Sequence, residues 1–182
     1  MAAATAALVP RLVPWAKAMT LLLGGGVIGL AVATAMTGTP VEGILAWSEK
    51  IFGTLFLAVF AALLYTALLA MIRVQGRAAD QPGVRAWLET GVQSASAIAT
   101  LALTYTLLGI SLGIGSLAGT DLNPATIPQV IRGLTEHFSM AFMTTVIGLP
   151  VSAVLRAALM IQQAKAEERA AQPARPPIQQ GD

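Results

Sequence analysis

The chain has 182 residues, of which 55% are hydrophobic and only 11% are charged, and its formal net charge is +2. Soluble domains usually carry about 25% charged residues, so this composition excludes a soluble globular protein and indicates a membrane protein. Cysteine is absent and His137 is the single histidine, which excludes a disulfide framework, a thiolate metal site and a metal site built from several histidines.

Four apolar stretches approach or exceed the roughly 20 residues that a membrane-spanning helix needs. They cover residues 18–38, 51–72, 94–118 and 138–161. We therefore predict an all-α, polytopic membrane protein with four transmembrane helices in one membrane domain, residues 18–161. A short surface helix is predicted at about 128–137. Residues 1–17 are an N-terminal arm, and the Pro- and Gln-rich segment within 162–182 is expected to be partly disordered.

The first stretch has a second interpretation as a signal peptide. Basic residues precede it, its core is apolar, and the small residues "AVATA" (31–35) resemble a cleavage site. Cleavage would leave three spans. The three consecutive glycines at 24–26 and the length of the apolar run favour a retained helix.

The basic residues predict the orientation. Nine lie in the N-terminal arm, in the loop between spans two and three, or at the end of span four and beyond, whereas the two other loops hold only Lys50 and Arg132. The positive-inside rule then places both termini and the loop between spans two and three in the cytoplasm. The membrane is expected to be the inner membrane of a bacterial cell.

A stripe of small residues follows one face of span three. Its members are spaced by alternating steps of four and three: Ala95, Ala99, Ala102, Thr106, Gly109, Gly113 and Ser116. Such residues allow helix backbones to approach closely, and hydroxyls can bond across the contact. The stripe therefore indicates either tight helix packing or the lining of a narrow polar passage or of a contact with another chain.

Span four repeats this pattern at Ala141, Thr145, Gly148 and Ser152. The neighbouring Thr144 lies about 100° round the helix and is predicted to lie off this face. Pro150 cannot donate a backbone hydrogen bond and is predicted to bend the helix just after Gly148.

None of the four predicted spans contains Asp or Glu. Proton and cation pathways usually need an ionisable group within the membrane. Either the chain conducts nothing, or a partner supplies the acid. No pairing of a nucleophile with a base can be assembled from these residues, so we predict that the chain is not an enzyme and needs no cofactor or metal.

Two segments, "TYTLLGISLGIGSL" (104–117) and "GLTEHFSMAFMTTVIGLPVSAVL" (133–155), resemble the MotA/TolQ/ExbB proton-channel family. Thr106 and Gly109 fit the motif of that family's penultimate helix, and Ala141, Thr145 and Gly148 fit the motif of its last helix. The resemblance covers about residues 94–160. The large cytoplasmic domain of the family is missing between spans two and three, and Tyr105 stands where the family usually has glycine.

The resemblance implies a homo-oligomeric ring, most often a pentamer, around single-span partners of the MotB/TolR/ExbD kind that carry a membrane aspartate. It implies pore-lining roles for Thr106, Gly109, Thr145, Gly148 and Ser152, with Thr145 nearest to the proton path. The lipid bilayer is the expected surrounding, and no nucleic-acid partner is expected. Two alternatives remain open: a non-conducting scaffold or accessory subunit of a larger membrane complex, and a small transporter subunit.

Overall fold

A computed structural model describes residues 2–115, 117, 123–124 and 126–172, with side chains from residue 13 onward apart from those at 47, 50 and 51. The four helices of this part are α1 (Ala2–Thr37), α2 (Val41–Val74), α3 (Val84–Gly115) and α4 (Ile127–Ala171). The stretches that are long and apolar enough to cross a membrane are Val13–Thr37, Phe52–Val74, Val84–Gly115 and Ile127–Ala171. The predictions of an all-helical architecture and of four candidate spans are confirmed for the described residues.

Consecutive helices run in opposite directions. Ala70, late in α2, lies against Gly91, early in α3, whereas Phe56 and Tyr105 meet at the other end with ring centroids 5.0 Å apart. The most extensive contact joins α3 to α4, and among the described residues α1 packs on α2 alone. The end at which α2 finishes and α3 begins carries Arg73, and we call it the basic end of the bundle.

The main core is built where α2, α3 and α4 meet. Its buried members are Ala67, Ala95, Ile98, Leu155 and Leu159. The alanines let the helix backbones approach each other, and the longer side chains fill the space that remains. Because lipid is as apolar as leucine, this core is held by close van der Waals packing rather than by removal of apolar surface from water.

The packing of α1 is much looser. Ala18 is its one fully buried side chain within residues 13–37, and large apolar side chains such as Val27 (66% exposed) and Met36 (83% exposed) lie on its surface. An apolar surface of this kind is compatible with a helix that contacts lipid.

A break at Gly53 divides α2 into two segments. Gly53 has φ 71° and ψ 150°, which is not a helical conformation. This region of backbone space is essentially restricted to glycine. The helical turns from Val41 up to this break were not predicted from the sequence.

The longest helix, α4, continues through positions where the sequence suggested boundaries. Residues 128–137, predicted as a separate surface helix, are the first turns of α4. Pro150 lies inside the helix, which is assigned as one element on both sides of it, and the bend predicted there stays a prediction. The segment predicted to be disordered lies outside the described residues from residue 173 onward.

The connection between α2 and α3, residues 75–83, is attached to the far end of α4. The backbone N–H of Ala79 donates to the carbonyl oxygen of Ala166 at 2.9 Å. Val74, Val84 and Leu88 are buried in a small apolar cluster with these two alanines. The connection and the last turns of α4 therefore form one packed unit at the basic end.

Candidate functional site

The two small-residue stripes face each other inside a single chain. Gly109 of α3 lies against Ala141 of α4, and Ala102 lies against Gly148. One helical turn further on, the Ser152 hydroxyl donates to the Ala95 carbonyl oxygen at 2.7 Å. The stripes therefore form the contact between α3 and α4.

The glycines of this contact are needed for its closeness. A Cβ atom added at Gly109 would lie 2.7 Å from the Cβ of Ala141, and one added at Gly148 would overlap the Cβ of Ala102. Real Cβ atoms essentially never approach so closely, so either addition would force the helices apart. At Gly113 the added atom would lie 3.1 Å from the ring of Phe138, which leaves slightly more room.

Three threonine hydroxyls meet at the middle of this contact. The Thr106 hydroxyl lies 2.9 Å from the carbonyl oxygen of Ala102 in its own helix and 3.0 Å from that of Ala141 in α4. The Thr144 hydroxyl lies 2.7 Å from the Ala141 oxygen and 3.2 Å from the Ala102 oxygen. We call Thr106, Thr144 and Thr145 the threonine cluster.

The three residues of the threonine cluster differ in their exposure. The Thr106 hydroxyl is within hydrogen-bond distance of both other hydroxyls, at 3.2 Å from Thr144 and in close contact with Thr145. Thr144 is 2% exposed and Thr106 is 9% exposed, whereas Thr145 is only partly buried. Thr145 is therefore the most exposed residue of the cluster.

The remaining predicted positions differ in their burial. Ala95 and Ala102 are fully buried and Ala99 is partly buried, while Pro150 lies on the exposed side of α4. Ser116 lies outside the described residues. The pore-lining roles predicted for this set concern an assembly and stay predictions: Thr106, Gly109, Thr145, Gly148 and Ser152.

The sequence reasoning missed two residues of this region. Thr144, placed off the contact face, is among its most buried residues. Gly91 is also part of a close approach, since a Cβ added there would lie 2.8 Å from both Ala70 and Leu159. Adjacent threonines fit a helical stripe equally well at either position, so spacing alone could not select Thr144. No sequence pattern indicated the role of Gly91, because its neighbours Ala70 and Leu159 come from two other helices.

The chemistry available at the site is hydrogen bonding by neutral groups. Within the described residues, no group of three or more His, Asp or Glu side chains could hold a metal ion. His137, near one end of the contact, has its Nδ1 atom 2.8 Å from the Gly133 carbonyl oxygen within α4. The threonine cluster can therefore donate and accept hydrogen bonds, but it has no ionisable group of its own.

Comparisons with protein-family models, with curated proteins and with solved structures found no match to this chain.

Proposed function

We propose that the chain is the ring-forming subunit of an inner-membrane complex that couples ion flow, expected to be of protons, to work. The threonine cluster carries this proposal, because it gathers three hydroxyls at a depth where the surrounding helix surfaces are apolar. Thr106 and Thr145, which meet there, are also the two threonines through which the sequence resembles the MotA/TolQ/ExbB family. In this proposal a single-span partner places a membrane aspartate beside Thr145.

The hydrogen bonds of the cluster support a role beside an acid that changes its protonation. With Thr106 and Thr144 donating to carbonyl oxygens, Thr145 can donate to Thr106 and keep its lone pairs free. It then accepts a hydrogen bond from a protonated aspartate. If Thr145 instead donates to the ionised carboxylate, Thr106 can donate to Thr145. Thr145 keeps one hydrogen bond with the acid in both arrangements, and in the second the Thr106 hydroxyl gives up its bond to a carbonyl oxygen.

This exchange would favour ion transfer for an electrostatic reason. A carboxylate within the membrane is costly, and a hydroxyl that donates to it stabilises the charged form. A hydroxyl that can also accept keeps the protonated form bound. Thr145 therefore serves both states of the acid, and the absence of Asp and Glu from the predicted spans leaves the acid itself to the partner.

The first test is the composition of the complex. The protein should be purified in mild detergent, its mass determined and every co-purifying chain identified. We expect several copies of this chain, most simply five, together with a one-span protein that has an aspartate in its membrane segment. Purification of a lone monomer as the only native species would contradict the proposal.

A scaffold that conducts nothing is the second candidate, and one observation favours it. The small-residue stripes of α3 and α4 are satisfied by each other within one chain, as tight packing alone would require. A homo-oligomer without an acid-bearing partner would support this alternative.

The proposed orientation has its own test. Reporter fusions at residues 43, 80, 122 and 175 should read outside, inside, outside and inside, because nine of the eleven basic residues then lie in the cytoplasm. An outside signal at residue 80 would contradict it.

A further inference from the structure

Arg73, in the last turn of α2, lies between two tryptophan side chains from other helices. Its Cζ atom is 4.2 Å from the ring centroid of Trp87 in α3 and 5.1 Å from that of Trp15 in α1. A cation over an indole face is attracted by the ring quadrupole, and tryptophan is the strongest partner of this kind. The two contacts hold the guanidinium at the basic end, where α1, α2 and α3 come together.

The N–H donors of Arg73 have no acceptor among the described residues. Its Nε atom is buried without a hydrogen-bond partner. The two Nη groups are not buried in this way, and they form no hydrogen bond or ion pair with any described residue. A guanidinium carries five N–H donors, and cation–π contacts satisfy none of them. An acceptor supplied from outside the chain would therefore complete the site.

The position of Arg73 indicates the chemistry of that acceptor. It lies one residue before the end of a candidate membrane span, and tryptophans are typical of the membrane–water interface. The acceptors that a bilayer offers at this depth are the phosphates of lipid head groups. Arg77 and Arg85 are exposed at the same end and add positive charge; Asp80 and Glu89 are exposed there too, and neither pairs with Arg73.

We propose that Arg73 binds a phosphate group through the free edge of its guanidinium, with Trp15 and Trp87 holding the plane in place. The guanidinium fork matches two phosphate oxygens with parallel N–H···O bonds, a geometry that lysine cannot reproduce. Inorganic phosphate has the same chemistry as a phospholipid head group. The depth of the site favours the phospholipid, and the two sources can be separated by experiment.

The test measures phosphate binding in two arms on the full chain. In the first, native mass spectrometry counts phosphatidylglycerol molecules retained by the detergent-purified protein. In the second, inorganic phosphate is titrated into delipidated protein while tryptophan fluorescence is recorded. The variants are Arg73→Lys, which keeps the charge, and Arg77→Lys as the matched control. Trp87→Leu removes one of the two rings that contact the guanidinium, and this variant tests the proposal if Arg73→Lys does not fold.

We expect one retained phospholipid per chain, with binding weakened at least about tenfold in Arg73→Lys, since charge-assisted hydrogen bonds are lost. Trp87→Leu should change binding in the same direction, and Arg77→Lys should behave like the unmodified chain. An Arg73-dependent response to inorganic phosphate without retained lipid would assign the site to free phosphate. Equal binding by the unmodified chain, Arg73→Lys and Trp87→Leu in both arms would overturn the proposal.

Discussion

The contacts of α4 and of α1 differ sharply, although both helices are rich in small residues. In α3 and α4, glycines lie directly against alanines of the facing helix, and an added Cβ would meet them at once. In α1, by contrast, an added Cβ would have no atom of another helix within 4 Å at any of four glycines: Gly24, Gly25, Gly26 and Gly29. Small residues therefore produce a close helix contact only where the neighbouring helix brings a matching backbone within reach.

The largest expected effect comes from filling the close contact. Gly148→Leu should lower the free energy of unfolding by about 3 kcal/mol, because the new side chain overlaps Ala102 and the two helices must separate. Thermal unfolding in detergent measures the change. Gly25→Leu is the matched control and should leave the midpoint unchanged, since its surroundings are open. An equal loss in both variants would remove the distinction between the two helices.

The next largest effect tests a glycine that is needed for its backbone conformation rather than for space. Gly53 has open surroundings, yet its φ of 71° and ψ of 150° disfavour any other residue. Gly53→Ala should cost about 2 kcal/mol of unfolding free energy. Gly133→Ala, at an open position inside α4, should be neutral or slightly stabilising. A stable Gly53→Ala chain in which α2 is an uninterrupted helix would contradict this expectation.

The function of the α3–α4 contact is tested by Thr145→Val, which keeps the shape of the side chain and removes its hydroxyl. The proposed complex should still assemble, while proton flux into liposomes falls about tenfold, because one hydrogen bond to a charged group is lost. A pH-sensitive dye inside the liposomes records the flux. Normal flux in this variant would contradict the proposed role of the Thr145 hydroxyl, whereas the absence of flux from the unmodified complex would favour the scaffold.

The smallest expected effect is that of Thr144→Val. Its hydroxyl links α4 to the Ala102 oxygen of α3, and hydrogen bonds between membrane helices contribute about 0.6 kcal/mol on average. A small drop in unfolding midpoint with nearly normal flux is expected. If flux fell as much as in Thr145→Val, the difference in exposure between the two threonines would have no functional meaning.

The sequence predicted the features that depend on local patterns. Four apolar runs of sufficient length predicted four candidate spans, and the alternating steps of four and three predicted the α3 face that is buried. It did not predict what covers that face, because periodicity identifies one helix surface and carries no information about its neighbour. For the same reason the sequence pattern placed Thr144 off the contact face, and this prediction is wrong, because Thr144 is more buried against α3 than Thr145. The position of Arg73 depends on packing between helices, since its two tryptophan partners come from α1 and α3.

The length of α4 has a mechanical consequence. Its 45 residues correspond to about 68 Å, more than twice the roughly 30 Å thickness of a bilayer core. Gly148, where the backbone of α4 comes closest to Ala102, lies near the middle of the helix. If α4 turned about this point without bending at Pro150, its two arms would be of similar length, and a tilt of about 5° would move each end by about 3 Å. One arm is tied at Ala166 to the connection 75–83, so a displacement at the far end of α4 pulls directly on the junction between α2 and α3.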